Sequence, residues 1–182
     1  MTVFIAGGAK CGKSAIAQDL AVKLAGGGTL YYDAPMIPTG AEDDDRIHRH
    51  LLERAGMGFE TVECFRDLGD IRDRDAAFLV DNITSLMQNA LFPAENNYEM
   101  DLKGAESCTG SILQFAATAR HAVFVSDQIY CDAEAYSNTT EQYRKRLADT
   151  DRALAAVCDV VMEVMAGCPI IYKGGDFLEN LS

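Results

Sequence analysis

Residues 7–14 have the sequence GGAKCGKS; they follow the apolar run VFIA and precede a segment with apolar residues every three or four positions. The octapeptide fits the pattern G-x-x-x-x-G-K-[ST], in which backbone N–H groups point inward at phosphate oxygens. The same pattern assigns Lys13 to the terminal phosphates and Ser14 to Mg²⁺. A glycine-rich turn with a solvated lysine is the structural alternative. We predict a phosphate-binding loop made of Gly7, Gly8, Ala9, Lys10, Cys11, Gly12, Lys13 and Ser14.

The bulk composition limits the classes of protein to consider. With 182 residues and 48% hydrophobic content, the chain is long enough for one core, so we expect a single nucleotide-binding domain over residues 1–182. A net charge of -12 repels phosphate backbones and anionic membranes, which argues against a nucleic-acid partner. The six cysteines form no CxxC pair, and no secretory leader or membrane-spanning run is present, which predicts a cytoplasmic protein without membrane insertion.

Alternating strand-like and helix-like segments predict the fold class. We expect an α/β, P-loop NTPase-like fold, with a mainly parallel sheet flanked by helices and ligands at the carboxyl edge. The predicted strands are the VFIA run and residues 29–32, 59–62, 76–80, 122–126, 160–165 and 169–172. The predicted helices are residues 15–25, 42–54, 65–71, 83–91, 112–119 and 139–156, with a mobile loop at 93–103.

Two acidic residues directly follow apolar strands. Asp81 comes after AAFLV, and Asp127 ends the strand that begins near Ala122. A phosphate loop needs a second acid to hold Mg²⁺ or its water, and a buried strand end supplies it. We therefore predict that Ser14 and Asp81 hold the metal, with Asp127 as the second candidate. The alternative role for Asp81 is to cap the helix that begins near Ile83.

The segment RIHRH at residues 46–50 carries two of the three histidines. A neutral imidazole can attack an α-phosphorus, and neighbouring guanidinium groups offset the phosphate charge. His48 and His50 are two positions apart and cannot share one helix face, so at most one of them is a nucleophile. The alternative interpretation is a solvated basic helix face.

Several further segments resemble one known family over the whole chain. These are GGAKCGKS, LYYDA, RIHRH, ETVEC, FLVDNITSLMQNALF, VFVSDQ, QYRKRLADTDRALA and VMEVMAGCPIIYKG. Together they resemble the adenosylcobinamide kinase / adenosylcobinamide-phosphate guanylyltransferase family of vitamin B12 assembly. The resemblance implies a P-loop enzyme that uses GTP or ATP with Mg²⁺. Such an enzyme phosphorylates the aminopropanol arm of a corrinoid, transfers GMP to that phosphate through a histidine-GMP intermediate, and assembles as a homotrimer.

The resemblance also implies roles for individual residues. The histidine of the family pattern R-I-x-x-H corresponds to His50, which makes His50 and Lys13 the expected catalytic pair, while His48 falls at a variable position. The expected nucleotide contacts beyond the loop are Ala34, Pro35, Met36, Arg49, Glu63 and Asp81.

One segment departs from the family pattern. Where the family has the glycine-rich stretch N-E-V-G-x-G-I-V-P, this chain has DQIYCDAEA at residues 127–135. Glycine permits backbone shapes that Tyr130 and Asp132 copy only with strain. The loop after the second strand also lacks the family's usual threonine. A divergent GTP-binding protein or small-molecule kinase that has lost corrinoid activity is therefore the alternative function.

Overall fold

The structure is a computed structural model that describes residues 1–35, 37, 48, 52 and 54–179. The strands are β1 Thr2–Gly7, β2 Leu30–Asp33, β3 Phe59–Val62, β4 Ala77–Asp81, β5 His121–Asp127, β6 Val160–Met165 and β7 Cys168–Lys173. The helices are α1 Lys13–Ala25, α2 Ile83–Leu91, α3 Leu102–Thr118, α4 Asn138–Val157 and α5 Gly175–Glu179. Short 3-10 turns occupy Leu68–Asp70 and Ala94–Asn96. No described helix is long and apolar enough to cross a membrane.

The strands form one seven-stranded sheet in the order β3-β2-β4-β5-β1-β6-β7. The pairing of β6 with β7 is antiparallel, and the other pairings between described strands are parallel. The carboxyl ends of β1, β2, β4 and β5 therefore meet at one edge. The predicted α/β, P-loop NTPase-like fold is confirmed, and this edge carries the loop after β1 together with the acids that end three neighbouring strands.

Alternating side chains on the strands build a core on each face of the sheet. Phe4 of β1 packs on one face with Phe78, Phe115 and Phe124, whose rings meet edge to face. Helices α2, α3 and α4 cover this face. The other face carries Ile5, and α1 packs on it through fully buried alanines. Because both faces are covered, the central strands are apolar throughout, as parallel strands require.

The helix α3 begins ten residues earlier than the sequence pattern predicts. Asp101 caps it by accepting a hydrogen bond from the Gly104 N–H at 2.9 Å. A Cβ at Gly104 would lie 2.6 Å from the Ala90 carbonyl oxygen, so the glycine allows α3 to approach α2 closely. The predicted loop at 93–103 is therefore wrong for its last two residues, which belong to α3. The sequence pattern did not predict this helix start because it contains Gly104, a residue that disfavours helices but permits close packing here.

Two other predicted helices have different outcomes. The segment at 65–71 contains only the 3-10 turn Leu68–Asp70, in which the Asp67 side chain accepts from the Gly69 N–H. The predicted helix at 42–54 lies almost wholly outside the described residues, although His48 and Leu52 are described as helical.

Candidate active site

Glycine is required at two positions of the loop between β1 and α1, one for lack of space and one for its backbone conformation. A Cβ at Gly7 would lie 2.7 Å from both the Cys11 Sγ and the Val164 carbonyl oxygen. Gly12 precedes α1 with φ of 95°, in the left-handed region. The Cys11 carbonyl accepts a hydrogen bond from the Gly167 N–H at 2.8 Å, so the turn between β6 and β7 supports the loop. The loop tip at Gly8, Ala9 and Lys10 is exposed.

The Lys13 side chain is buried at the start of α1, with 6% of the residue exposed. Its Nζ donates to the Gly8 carbonyl at 3.1 Å and forms an ion pair with Asp127 Oδ1 at 2.6 Å. The N-terminus of α1 points its unpaired N–H groups and the positive end of its dipole into the same loop. An ammonium group and a helix N-terminus that converge on one loop are suited to bind a phosphate chain.

A hydrogen-bond network fixes Asp127 beside this lysine. Asp127 pairs in register with Gly7 across β5 and β1. Its Oδ2 accepts from the Asn82 Nδ2 at 2.7 Å, and its N–H donates to the Thr84 Oγ1 at 2.9 Å. The carboxylate that contacts Lys13 is thus Asp127, the second candidate of the sequence analysis, whereas Asp81 ends β4, one strand further along the sheet.

The structure identifies the cap of α2. Asn82 precedes the helix, and its side chain accepts from the Ser85 N–H at 2.9 Å. Asp81 is therefore not the helix cap, and that alternative for Asp81 is wrong. An asparagine directly before a helical pattern is a recognisable capping signal, so the role of Asn82 could have been predicted from the sequence.

The carboxyl edge offers a suitable donor set for Mg²⁺. Ser14 lies half-buried in the first turn of α1, and Asp81 and Asp127 end neighbouring strands. In the described part of the chain, no group of three or more His, Cys, Asp or Glu side chains could hold a metal ion by itself. Proteins usually hold Mg²⁺ through one or two carboxylates while waters and substrate phosphates complete the shell, and a hydroxyl with a strand-end carboxylate is such a donor set.

The residues predicted to contact the nucleoside lie further along the same edge. Ala34 and Pro35 follow β2, three strands or about 14 Å from β1 at the usual strand spacing. The Ala34 N–H donates to the Val62 carbonyl at 3.1 Å, and the Pro35 carbonyl accepts from the Asn89 side chain at 2.7 Å. Glu63 is exposed directly after β3.

The remaining predicted site residues lie mostly outside the described residues. Met36, Arg49 and His50 are not among the described residues, and the described His48 is exposed.

A buried carboxyl group that the sequence analysis did not single out ends β2. Asp33 is 0% exposed, and its Oδ1 accepts from the Cys64 N–H at 2.8 Å. Its Oδ2 has no hydrogen-bond partner among the described residues. Burial raises the pKa of Asp33 to about 7, against the smaller opposing effect of the Cys64 hydrogen bond. This carboxyl group therefore titrates near neutral pH at the edge that carries the phosphate loop.

The segment that departs from the family pattern is held by one arginine of α4. The buried Arg144 donates to the Ile129 carbonyl at 3.1 Å, the Asp132 carbonyl at 3.3 Å and the Glu134 carbonyl at 3.4 Å. Its guanidinium also lies 4.7 Å from the centre of the Tyr136 ring. Residues 127–135 are all described, and none has a positive φ. The expected backbone strain at Tyr130 and Asp132 is therefore absent.

Comparison with solved structures finds proteins of low sequence identity, of which FlaH shares the fold. The flagellar accessory protein FlaH from Methanocaldococcus jannaschii is 12% identical with a TM-score of 0.51, and the alignment covers 94% of this chain and 77% of FlaH. The ATPase domain of G40P is 11% identical with a TM-score of 0.43, over 89% of this chain and 68% of that domain.

Comparison with curated proteins found no match. The family described as cobinamide kinase / cobinamide phosphate guanyltransferase matches residues 3–171, which include the phosphate loop, Asp81, Asp127 and all seven strands up to the middle of β7. The chain therefore belongs to the cobinamide kinase / cobinamide phosphate guanyltransferase family.

Proposed function

We propose that the protein phosphorylates adenosylcobinamide and then transfers GMP from GTP to adenosylcobinamide phosphate. Membership in the family implies kinase and guanyltransferase activity in cobalamin biosynthesis. The observation that carries the proposal is the family match over residues 3–171 in a chain whose phosphate loop retains its buried lysine.

The triphosphate would bind in the loop after β1. Backbone N–H groups of the loop surround the phosphate oxygens, and Lys13 exchanges its contact with Asp127 for contacts with the β- and γ-phosphates. Ser14 and Asp81 would hold Mg²⁺, which neutralises charge on the phosphate oxygens when it is bound. Lys13 already lies in the loop, held at the Gly8 carbonyl.

For the kinase step, Asp127 is the proposed proton acceptor. The acceptor hydroxyl oxygen attacks the γ-phosphorus, the bond to the bridging oxygen breaks, and the nucleoside diphosphate leaves. The hydroxyl proton passes to the Asp127 carboxylate, which the Asn82 side chain holds by a hydrogen bond, while Thr84 accepts from the Asp127 backbone N–H. Once Lys13 turns to the phosphates, this carboxylate has an oxygen available for the hydroxyl group.

For the guanyltransferase step, His50 is the proposed nucleophile. An imidazole nitrogen attacks the α-phosphorus of GTP, pyrophosphate leaves, and a phosphorus–nitrogen bond forms. A phosphate oxygen of adenosylcobinamide phosphate then attacks the same phosphorus, and the imidazole leaves. The assignment rests on the R-I-x-x-H pattern, and His48 is the alternative nucleophile.

The remaining parts of the proposal concern the base and the assembly. Ala34, Pro35, Met36, Arg49 and Glu63 would line the nucleoside side of the site. The kinase step would use GTP or ATP. By resemblance to the family, we infer a cytoplasmic homotrimer in which the whole chain acts as one nucleotide-binding domain.

Two radiolabels test the two steps separately. With α-labelled GTP and Mg²⁺, the wild type should acquire an acid-labile, base-stable label that His50→Ala lacks and His48→Ala retains. With γ-labelled nucleotide, the label should pass to adenosylcobinamide. Equal labelling of wild type and His50→Ala would contradict the nucleophile assignment. Thermal stabilisation by GTP without transfer of either label would favour the divergent GTP-binding protein.

A further inference from the structure

A cavity of about 440 Å³ lies between α4 and the strands β1, β6 and β7. It is on the sheet face opposite α1, with Phe4 and Ala6 among its apolar lining. Its volume is within the range of small-molecule sites. None of the residues predicted from the sequence to bind nucleotide lines it.

The cavity adjoins the phosphate loop. Ala6, in its lining, directly precedes Gly7, and the lining residue Gln128 directly follows Asp127. The Gln128 N–H donates to the Gly7 carbonyl at 3.1 Å. A ligand in the cavity would therefore lie next to the Gly7 end of the phosphate loop and next to Asp127 at the end of β5.

Asp151 of α4 is a buried acceptor in the lining of this cavity. The residue is 3% exposed, and its Oδ2 accepts from the Ser126 Oγ and the Tyr130 Oη, both at 2.8 Å. Its Oδ1 has no hydrogen-bond partner in the part of the chain that the structure describes. A buried carboxylate oxygen without a donor is costly, so a ligand with an N–H or O–H donor would stabilise this arrangement.

The opposite wall of the cavity is also rich in acceptors. Glu163 of β6 accepts from the Tyr172 Oη of β7 at 2.8 Å, and both residues line the cavity. Arg152 is the basic residue in the lining, and its guanidinium is paired with Asp149 at 3.1 Å. Two carboxyl groups, two tyrosines and an apolar floor favour a neutral or cationic ligand that donates hydrogen bonds, and disfavour an anion.

We infer that this cavity binds the carboxamide- and hydroxyl-bearing arm of the cobinamide acceptor. The inference rests on the proposed function and deepens it by placing the acceptor. Cobinamide carries amide N–H donors around a ring that is too large for the cavity, so one arm enters while the ring stays outside. Because the lining residue Gln128 directly follows Asp127, we place the hydroxyl end of that arm on this side of the cavity.

The segment that departs from the family pattern also contributes to this cavity. Tyr130, which bonds to Asp151, lies at a position where the family has glycine. A tyrosine there supplies both an apolar ring and the hydroxyl that orients the carboxyl group. The departure thus reshapes an acceptor pocket in this chain.

Binding of cobinamide by equilibrium dialysis, read from corrinoid absorbance, tests the inference. Ala148 lines the cavity, so Ala148→Phe should fill part of it and weaken cobinamide binding at least tenfold. Arg146→Phe adds the same ring at an exposed position of the same helix and should bind as the wild type does. Both variants should keep the thermal shift that GTP produces, which confirms that they fold.

A second, nearly isosteric variant tests the role of the buried acceptor. In Asp151→Asn the amide oxygen can still accept from Ser126 and Tyr130. An N–H₂ group replaces Oδ1, the oxygen that would accept a hydrogen bond from the ligand. Cobinamide binding should weaken several-fold. Wild-type binding by both Ala148→Phe and Asp151→Asn would overturn the cavity assignment and leave the proposed function intact. If the wild type neither binds cobinamide nor phosphorylates it, the proposed function falls, and this occupant falls with it.

Discussion

The buried carboxyl group of Asp33 makes the stability of the fold depend on pH. Its pKa is raised from 3.8 to about 7 because burial penalises the charged form. Between pH 3.8 and about pH 7, this carboxyl group binds more protons in the folded state than in the unfolded state. The folded state therefore loses stability as the pH rises toward and through 7. Asp33→Asn removes the ionisation and keeps an oxygen that can accept from the Cys64 N–H.

The size of the effect follows from the pKa of this carboxyl group in the folded and unfolded states. A tenfold difference in proton affinity between the two states corresponds to about 1.4 kcal/mol, so raising the pH from 5 to 8 costs the folded state roughly 2 to 3 kcal/mol. The free energy of unfolding of Asp33→Asn minus that of the wild type should therefore be larger at pH 8 than at pH 5 by about that amount. Asp151, whose pKa is also raised to about 7 by burial, is present in both proteins and cancels in the comparison.

Urea unfolding at pH 5 and pH 8 measures this difference directly. The free energies of unfolding are compared between wild type and variant at each pH, with the denaturant slopes checked for equality. Glu63→Gln, an exposed carboxylate-to-amide change directly after the neighbouring strand β3, is the matched control. A stability difference between Asp33→Asn and wild type that is the same at both pH values, or larger at pH 5, would refute the reasoning.

Two further variants test the phosphate loop and the loop after β5. Gly7→Ala would place a methyl group 2.7 Å from the Cys11 Sγ and the Val164 carbonyl oxygen, so GTP binding and stability should both fall, the latter by about 1 to 3 kcal/mol. Gly110→Ala, at an exposed position of α3, meets nothing within 4 Å and is the control in a calorimetric titration with GTP. Arg144→Lys keeps the charge but cannot hold three carbonyls in one plane, so thermolysin should cleave the loop after β5 faster while α4 stays folded. Unchanged cleavage would show that the guanidinium does not hold this loop.

The fold could be predicted from the sequence because its signals are local. The apolar run of β1, the glycines after it and the periodic apolar residues of α1 lie within about 25 residues of one another. Buried parallel strands that end in acids also place Asp81 and Asp127 at one edge without any knowledge of the packing. The sheet, its carboxyl edge and the phosphate loop all follow from such patterns.

The contacts within the site could not be predicted in the same way, because they join residues far apart in the chain. Lys13 and Asp127 are 114 positions apart, and which of two strand-end acids meets the lysine depends on strand order. The pairing of Asp151 with Ser126 is likewise invisible in the amphipathic pattern of α4, where an aspartate suggests a solvated position. Long-range packing decides these contacts.

The loop after β5 lacks the glycines of the family pattern but has no backbone conformation that requires glycine. Missing glycines argue for lost function only if the backbone still needs the conformations that glycine permits. Here none of the residues at 127–135 has a positive φ, and the side chain of Arg144 donates hydrogen bonds to Ile129 and Asp132 of this segment. Positions that are glycine in the family pattern carry side chains here, and the side chain of Tyr130 lines the cavity beside the phosphate loop. Under the proposed placement of cobinamide, the departure gives the acceptor site a different wall. Cobinamide binding by the wild type that is weakened in Ala148→Phe and Asp151→Asn would distinguish this from a loss of the site.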